Sequence, residues 1–144
     1  MRTTIRKASN EGRVESFFFE EKNGQEVIRE ELLTSKAQEW ARNFLRVRPP
    51  LHAAQLRRFY HDVKSLEAKV TSEEKFIKNR PLIKMLKSKV AYACPKTYSG
   101  RKVPWEFREF IEECVGEIDQ LKDFQAFALV FEAVVGYFYG EGGR

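Results

Sequence analysis

From Thr34 onward, apolar residues recur with the period of helices that bury one face. In "TSKAQEWARNFLRV", Ala37, Trp40, Ala41, Phe44 and Leu45 form one stripe, Thr34 is a capping residue, and Ser35 and Gln38 stand at capping-box spacing. Pro49-Pro50 ends that helix. The next begins near Leu51 and places Leu56, Phe59, Tyr60, Val63, Leu66 and Val70 on one side. Thr71 and Glu74 make a second capping box, opening a helix that kinks or restarts at Pro81, where the N–H is missing and the ring crowds the preceding turn. Leu82, Ile83, Leu86, Val90 and Ala93 then point inward, and a loop of Pro, Tyr, Ser and Gly covers 95–102. "VPWEFREFIEECVGEIDQL" carries a further stripe of Phe107, Phe110, Ile111, Cys114, Ile118 and Leu121. The expected fold is all-α, a compact bundle of about five to six helices forming one domain over 34–144.

Residues 1–33 have no comparable period. Phe17, Phe18 and Phe19 cluster ahead of Asn23-Gly24, a good hairpin turn, but the flanking alternation is poor. An irregular arm leading into a helix is therefore expected ahead of the alternative, a short hairpin, with the Phe cluster docked on the body of the protein.

The segment "DFQAFALVFEAVVGYFYG" is nearly all apolar, with Glu132 at its centre. It is shorter than the roughly 20 apolar residues a bilayer span requires and is interrupted by a carboxylate. A helix apolar on every side must be covered on every side, so this one is expected at the centre of the bundle or shared between subunits. Glu132 is then a buried or half-buried structural charge, with Arg57, Arg58 or Lys89 as candidate partners, whose removal would cost about 3–5 kcal/mol.

Composition adds little until charge is mapped. The 144 residues carry a net charge of +5. Between Lys75 and Trp105 there are nine Lys or Arg and no Asp or Glu; from Glu106 to Asp123 there are seven acids against Arg108 and Lys122. Such asymmetry implies two chemically different surfaces. Arg80, Lys84 and Lys87 share helical spacing, as do Arg57, His61 and Lys64, and the two stripes are expected to line one groove. Phosphate is the obvious anion for such a groove, with Tyr60, Tyr92 and Tyr98 as base-stacking faces.

Catalytic chemistry finds no support. There is no glycine-rich phosphate cradle and no nucleophile motif, and His52 and His61 are not at same-face metal spacing. Cys94 and Cys114, far apart and without a CxxC, fit buried free thiols. No cofactor and no metal site are indicated. No apolar run of signal-peptide length precedes Phe17, so a cytoplasmic protein with no membrane segment is expected.

Three stretches, "QLRRFYHDVKSLE" (55–67), "KSKVAYA" (87–93) and "DFQAFALVFEAVVGYFYG" (123–140), together resemble the small all-helical subunit of the type III-A CRISPR effector, the Csm complex. The chain departs from that pattern at "PPLHAAQLR", which lacks the family's Leu-Thr-Thr/Ser lead-in, and at Pro95-Lys96, where an arginine often follows Ala-Tyr-Ala.

The resemblance implies a non-catalytic subunit of antiviral and anti-plasmid defence. Several copies would stack inside the effector and help bind crRNA and target single-stranded RNA, the cuts being made by other subunits. Partners implied are these RNAs, the backbone and large subunits of the Csm effector, and other copies of the chain, including a homodimer in isolation. Arg57, Arg58, Lys87 and Lys89 occupy the matching motif positions; the charge pattern adds Lys64, Arg80, Lys84, Lys96, Arg101 and Lys102. The alternative is a helical dimerisation or scaffold module whose basic tract meets an acidic protein, without nucleic acid. A helix-turn-helix reading is weaker, because no short glycine turn precedes the Arg57-Arg58 helix.

Overall fold

The computed structural model describes residues 7, 8 and 14–144. The rest of the arm expected over 1–33 lies outside the described residues. Within them the chain is mostly helical, with two small two-stranded antiparallel sheets, β1 (Lys7–Ala8) with β2 (Val14–Glu15) and β3 (Phe19–Lys22) with β4 (Gln25–Ile28).

The second sheet is the hairpin that the sequence placed behind an irregular arm. Asn23 and Gly24 both have positive φ, 52° and 77°, the requirement of the two-residue turn whose twist matches paired strands, and Lys22 pairs with Gln25 across it. Poor alternation did not prevent pairing because the hairpin is anchored both at its base and near its turn. Phe17 and Phe18 are buried in the core, and Lys122 donates to both carboxylate oxygens of Glu26 at 2.7 and 2.8 Å.

Seven helical segments follow: the single turn α1 (Glu30–Leu33), α2 (Ser35–Arg46), α3 (Ala53–Lys69), α4 (Glu73–Lys84), α5 (Leu86–Ala93), α6 (Trp105–Gly116) and α7 (Leu121–Gly140). Two of the expected caps differ. The Thr34 hydroxyl closes α1 by donating to the Glu30 carbonyl, and the Gln38 amide donates to Glu141, so no box forms between Ser35 and Gln38. Ser72, one residue after Thr71, caps α4 by accepting from the Lys75 N–H. A capping box does form at α7, where Asp123 accepts from the N–H groups of Asp119 and Gln120. That role explains why Asp123 is buried while still satisfied.

Helix α4 runs through Pro81 and breaks four residues later at Met85. Leu82, expected inside, is 42% exposed.

The core joins α2, α3, α6 and α7 through aromatic rings. Phe107 of α6 lies 5.4 Å from Phe44 of α2, 5.2 Å from Phe59 of α3 and 6.3 Å from Phe131 of α7, centroid to centroid. Such edge-on pairs add about 0.5–1.5 kcal/mol each beyond their burial. Cys94 and Cys114 are buried free thiols, and burial raises the pKa of both.

Helix α7 packs chiefly on α2 and α3, with Phe124, Phe127, Val130, Phe131, Val134 and Phe138 inside. Its other face is open. Gln125, Leu129, Glu132, Gly136 and Tyr139 are all exposed and recur at helical spacing as one solvent stripe. The expectation of a buried Glu132 is therefore overturned. The stripe escapes a hydropathy pattern because Leu129, Gly136 and Tyr139 occupy solvent positions, leaving Glu132 as its one charged marker. Among the described residues no helix is long and apolar enough to cross a membrane.

Candidate nucleic-acid interface

The ten expected basic residues fall into three groups. The first is built into the fold. Lys84 Nζ donates to the carbonyl oxygens of Val115 at 2.8 Å and Ile118 at 2.7 Å, closing the C-terminal end of α6, where unpaired carbonyls and the helix dipole favour a cation. Burial, then the neighbouring Arg80, lowers its pKa, with Asp119 acting in the opposite direction. Arg80 bridges to Asp119 at 3.3 Å. Arg101 braces its own loop, donating through Nε to the Pro95 carbonyl and through Nη2 to the Lys96 carbonyl, both at 2.9 Å. The expected Arg80–Lys84–Lys87 stripe thus turns two of its members onto the α6–α7 corner.

The second group is paired on the surface. Arg57 donates to the Tyr139 hydroxyl at 3.0 Å, beside the solvent stripe of α7. Lys64 pairs with Glu67 at 2.9 Å, and this hydrogen-bonded carboxylate raises its pKa, with Glu132 a minor contributor. Lys89 pairs with Asp62 of α3 at 3.3 Å.

The third group is open. Arg58, Lys87, Lys96 and Lys102 are exposed, and among the described residues none makes an ion pair.

These residues do not line one groove between α3 and α4. The Lys89–Asp62 pair links α5 to α3 at the surface, and Arg58 stands one turn before Asp62 on the same face of α3. One turn further along α5 comes Tyr92, with Lys102 over its ring at 5.6 Å. Arg101 lies over the Tyr98 ring at 5.4 Å, and the Tyr98 hydroxyl donates to the Arg48 carbonyl at 2.9 Å. The result is a strip running Arg58, Lys89, Tyr92, Lys102, Arg101, Tyr98. The anchoring of Tyr98 on the Arg48 backbone was not legible, the two being fifty positions apart in sequence. Tyr60 leaves the stacking set, since it is only half-exposed and its ring tilts against Phe131 at 5.9 Å.

The loop carrying Tyr98, Arg101 and Lys102 is tied to the end of α5. Lys102 N–H donates to the Ala93 carbonyl at 2.7 Å, and Arg108 Nη1 donates to the Cys94 carbonyl at 2.8 Å. Arg108 also bonds Glu112 at 3.0 Å and lies over the Trp105 ring at 4.8 Å. Its isolation among acids in the sequence was the available signal for this bracing role.

Lys87 points to the opposite flank of α5, into a groove of about 700 Å³ between α2 and α6. Trp40, Trp105 and Phe110 line it together with Glu106, Glu109, Glu112 and Glu113. Among the described residues no group of three or more His, Cys, Asp or Glu is arranged to hold a metal ion.

Fold and surface define a small helical-bundle protein with a basic, tyrosine-bearing strip on one side and an acid-lined groove on another. A family model described as Csm2 Type III-A matches residues 28–143, and the chain therefore belongs to the Csm2 family, as a small subunit of the type III-A Csm complex. No curated protein and no solved structure matches it.

Proposed function

We propose that this subunit is non-catalytic and binds crRNA and target RNA along their sugar-phosphate backbone, within a cytoplasmic effector of antiviral and anti-plasmid defence. The observation that carries the reading is the strip from Arg58 through Lys89 to Lys102, cationic and mostly exposed on a braced scaffold. Guide pairing supplies sequence specificity in RNA-guided complexes, so a subunit beside the duplex has only phosphate and sugar to recognise. Arg58, Lys89, Lys96 and Lys102 are the contacts this reading favours; Lys84, Arg80 and Arg101 act first through the fold. The bundle over 34–144 is the unit that presents them.

The acid-lined groove supports an assembly role beside this one. Its four carboxylates, set beside Lys36 and Lys87, fit a cationic patch on another Csm subunit rather than the basic strip itself.

Co-expression with the other Csm subunits and a crRNA array tests the function. Wild-type complexes are expected to retain crRNA and this subunit together, and a charge-reversed K89E/K102E chain is expected to assemble while lowering target-RNA retention. Assembly lost with RNA affinity intact would instead favour the scaffold reading, in which the strip meets an acidic protein.

A further inference from the structure

Tyr92 and Tyr98 are 82% and 63% exposed, the most exposed aromatic side chains among the described residues. Exposed rings of this size are usually tucked against a neighbour, because leaving them in water forgoes burial. These two instead lie under cations on consecutive residues, Lys102 over Tyr92 at 5.6 Å and Arg101 over Tyr98 at 5.4 Å, Arg101 being shared with the Trp105 ring at 5.1 Å. Each cation occupies one side of its ring. The Tyr98 ring is further fixed by its hydroxyl bond to the Arg48 carbonyl, and the Arg101 guanidinium by the Pro95 and Lys96 carbonyls.

We propose that Tyr92 and Tyr98 form a stacking platform for unpaired nucleobases, a site distinct in chemistry from the phosphate contacts above and resting on the RNA-binding reading. A base laid on the open side of either ring would bring its own phosphate within reach of Lys102, Lys96 or Lys89. Stacking of this kind tolerates any base, since every base has a π-face, and it requires a single strand, since a paired base already stacks on its neighbours. The strip thereby combines a cationic track, which duplex and single strand share, with two aromatic rests that only single-stranded RNA can use.

The test uses the full chain and single-stranded RNA carrying 2-aminopurine, with a fully paired RNA duplex of the same length as the second ligand. Each of Tyr92→Ala and Tyr98→Ala is expected to weaken single-strand binding about five- to tenfold and to abolish part of the 2-aminopurine quench. Duplex affinity and the salt slope should not move. Tyr92→Phe should bind like wild type, because the ring and not the hydroxyl is the platform. Both side chains are exposed, so thermal melts should match wild type. Unchanged single-strand affinity in both Ala variants, with wild-type binding intact, overturns the platform and leaves the backbone reading standing. Loss of co-purification with other Csm subunits at unchanged RNA affinity would make the tyrosines a protein contact and overturn it too. Failure of the wild-type chain to bind RNA at low salt overturns both.

Discussion

Lys84 Nζ sits 2.8 Å from the carbonyl oxygen of Val115, so a lysine from the acid-free tract closes the end of the acid-rich helix α6. Spacing along α4 showed which residues share a face with Lys84 but not what that face meets. Replacing Lys84 by Met keeps the aliphatic stem and removes the donor to two carbonyls. The expected cost is about 1–2 kcal/mol, the low end for hydrogen bonds to a charged group because burial already offsets part of the gain. Urea unfolding measures it. RNA affinity per folded molecule should stay near wild type; a large loss of affinity in a fully stable variant would return Lys84 to the contact set.

Glu132 belongs to the solvent stripe of α7 with Gln125, Leu129, Gly136 and Tyr139. Glu132→Ala should therefore change stability by no more than about 0.5 kcal/mol, as exposed substitutions do, and not by the several kcal/mol a buried charge would demand. Chemical denaturation decides between the two. A loss beyond about 2 kcal/mol would mean that the carboxylate is buried after all.

Glu141 ties the end of α7 to α2, accepting from Arg42 at 3.1 Å and from the Gln38 amide at 3.1 Å. The Arg42 hydrogen bond, then that from Gln38, lowers its pKa below the ordinary 4.5. A carboxyl depressed in the folded state contributes stability above its unfolded pKa and loses it as pH falls through the folded one. Amide exchange in the last turn of α7 should therefore accelerate as pH falls below about 4.5, after correction for intrinsic rates, while the centre of α7 stays protected. In Arg42→Ala that extra acceleration should shrink, because the group that shifts the carboxyl is gone.

Much of this was legible in the sequence, for reasons that also mark where it was not. The stripes of α2, α3 and α6 alternate with charge, so Phe44, Phe59 and Phe107 were identifiable as core residues before their rings could be seen to meet. Helix α7 has apolar residues on its wet side as well, and nothing local separates Leu129 from Phe131. The first cap failed where a tertiary partner competed, since Gln38 turned to Glu141 across the fold and left Ser35 without its box, while the second moved one residue along to Ser72. Charge asymmetry implied two surfaces, yet Arg80 and Lys84 turn onto the α6–α7 corner and Lys87 into the acid-lined groove, so assigning individual cations needed the third dimension. Lys84 and Lys89 look alike in the tract, but one ends on backbone carbonyls and the other on Asp62 beside Arg58.

The central claim, that the Arg58–Lys89–Lys102 strip holds RNA by its backbone, is tested most directly by the salt dependence of single-stranded RNA binding. Fluorescence anisotropy across a salt series should give a linear log–log plot whose slope falls by about 0.7 for each phosphate contact removed in Arg58→Gln, Lys89→Gln or Lys102→Gln. Affinity should be indifferent to base sequence. Binding that is unaffected by salt, that follows base identity, or that survives neutralisation of all three residues would contradict it.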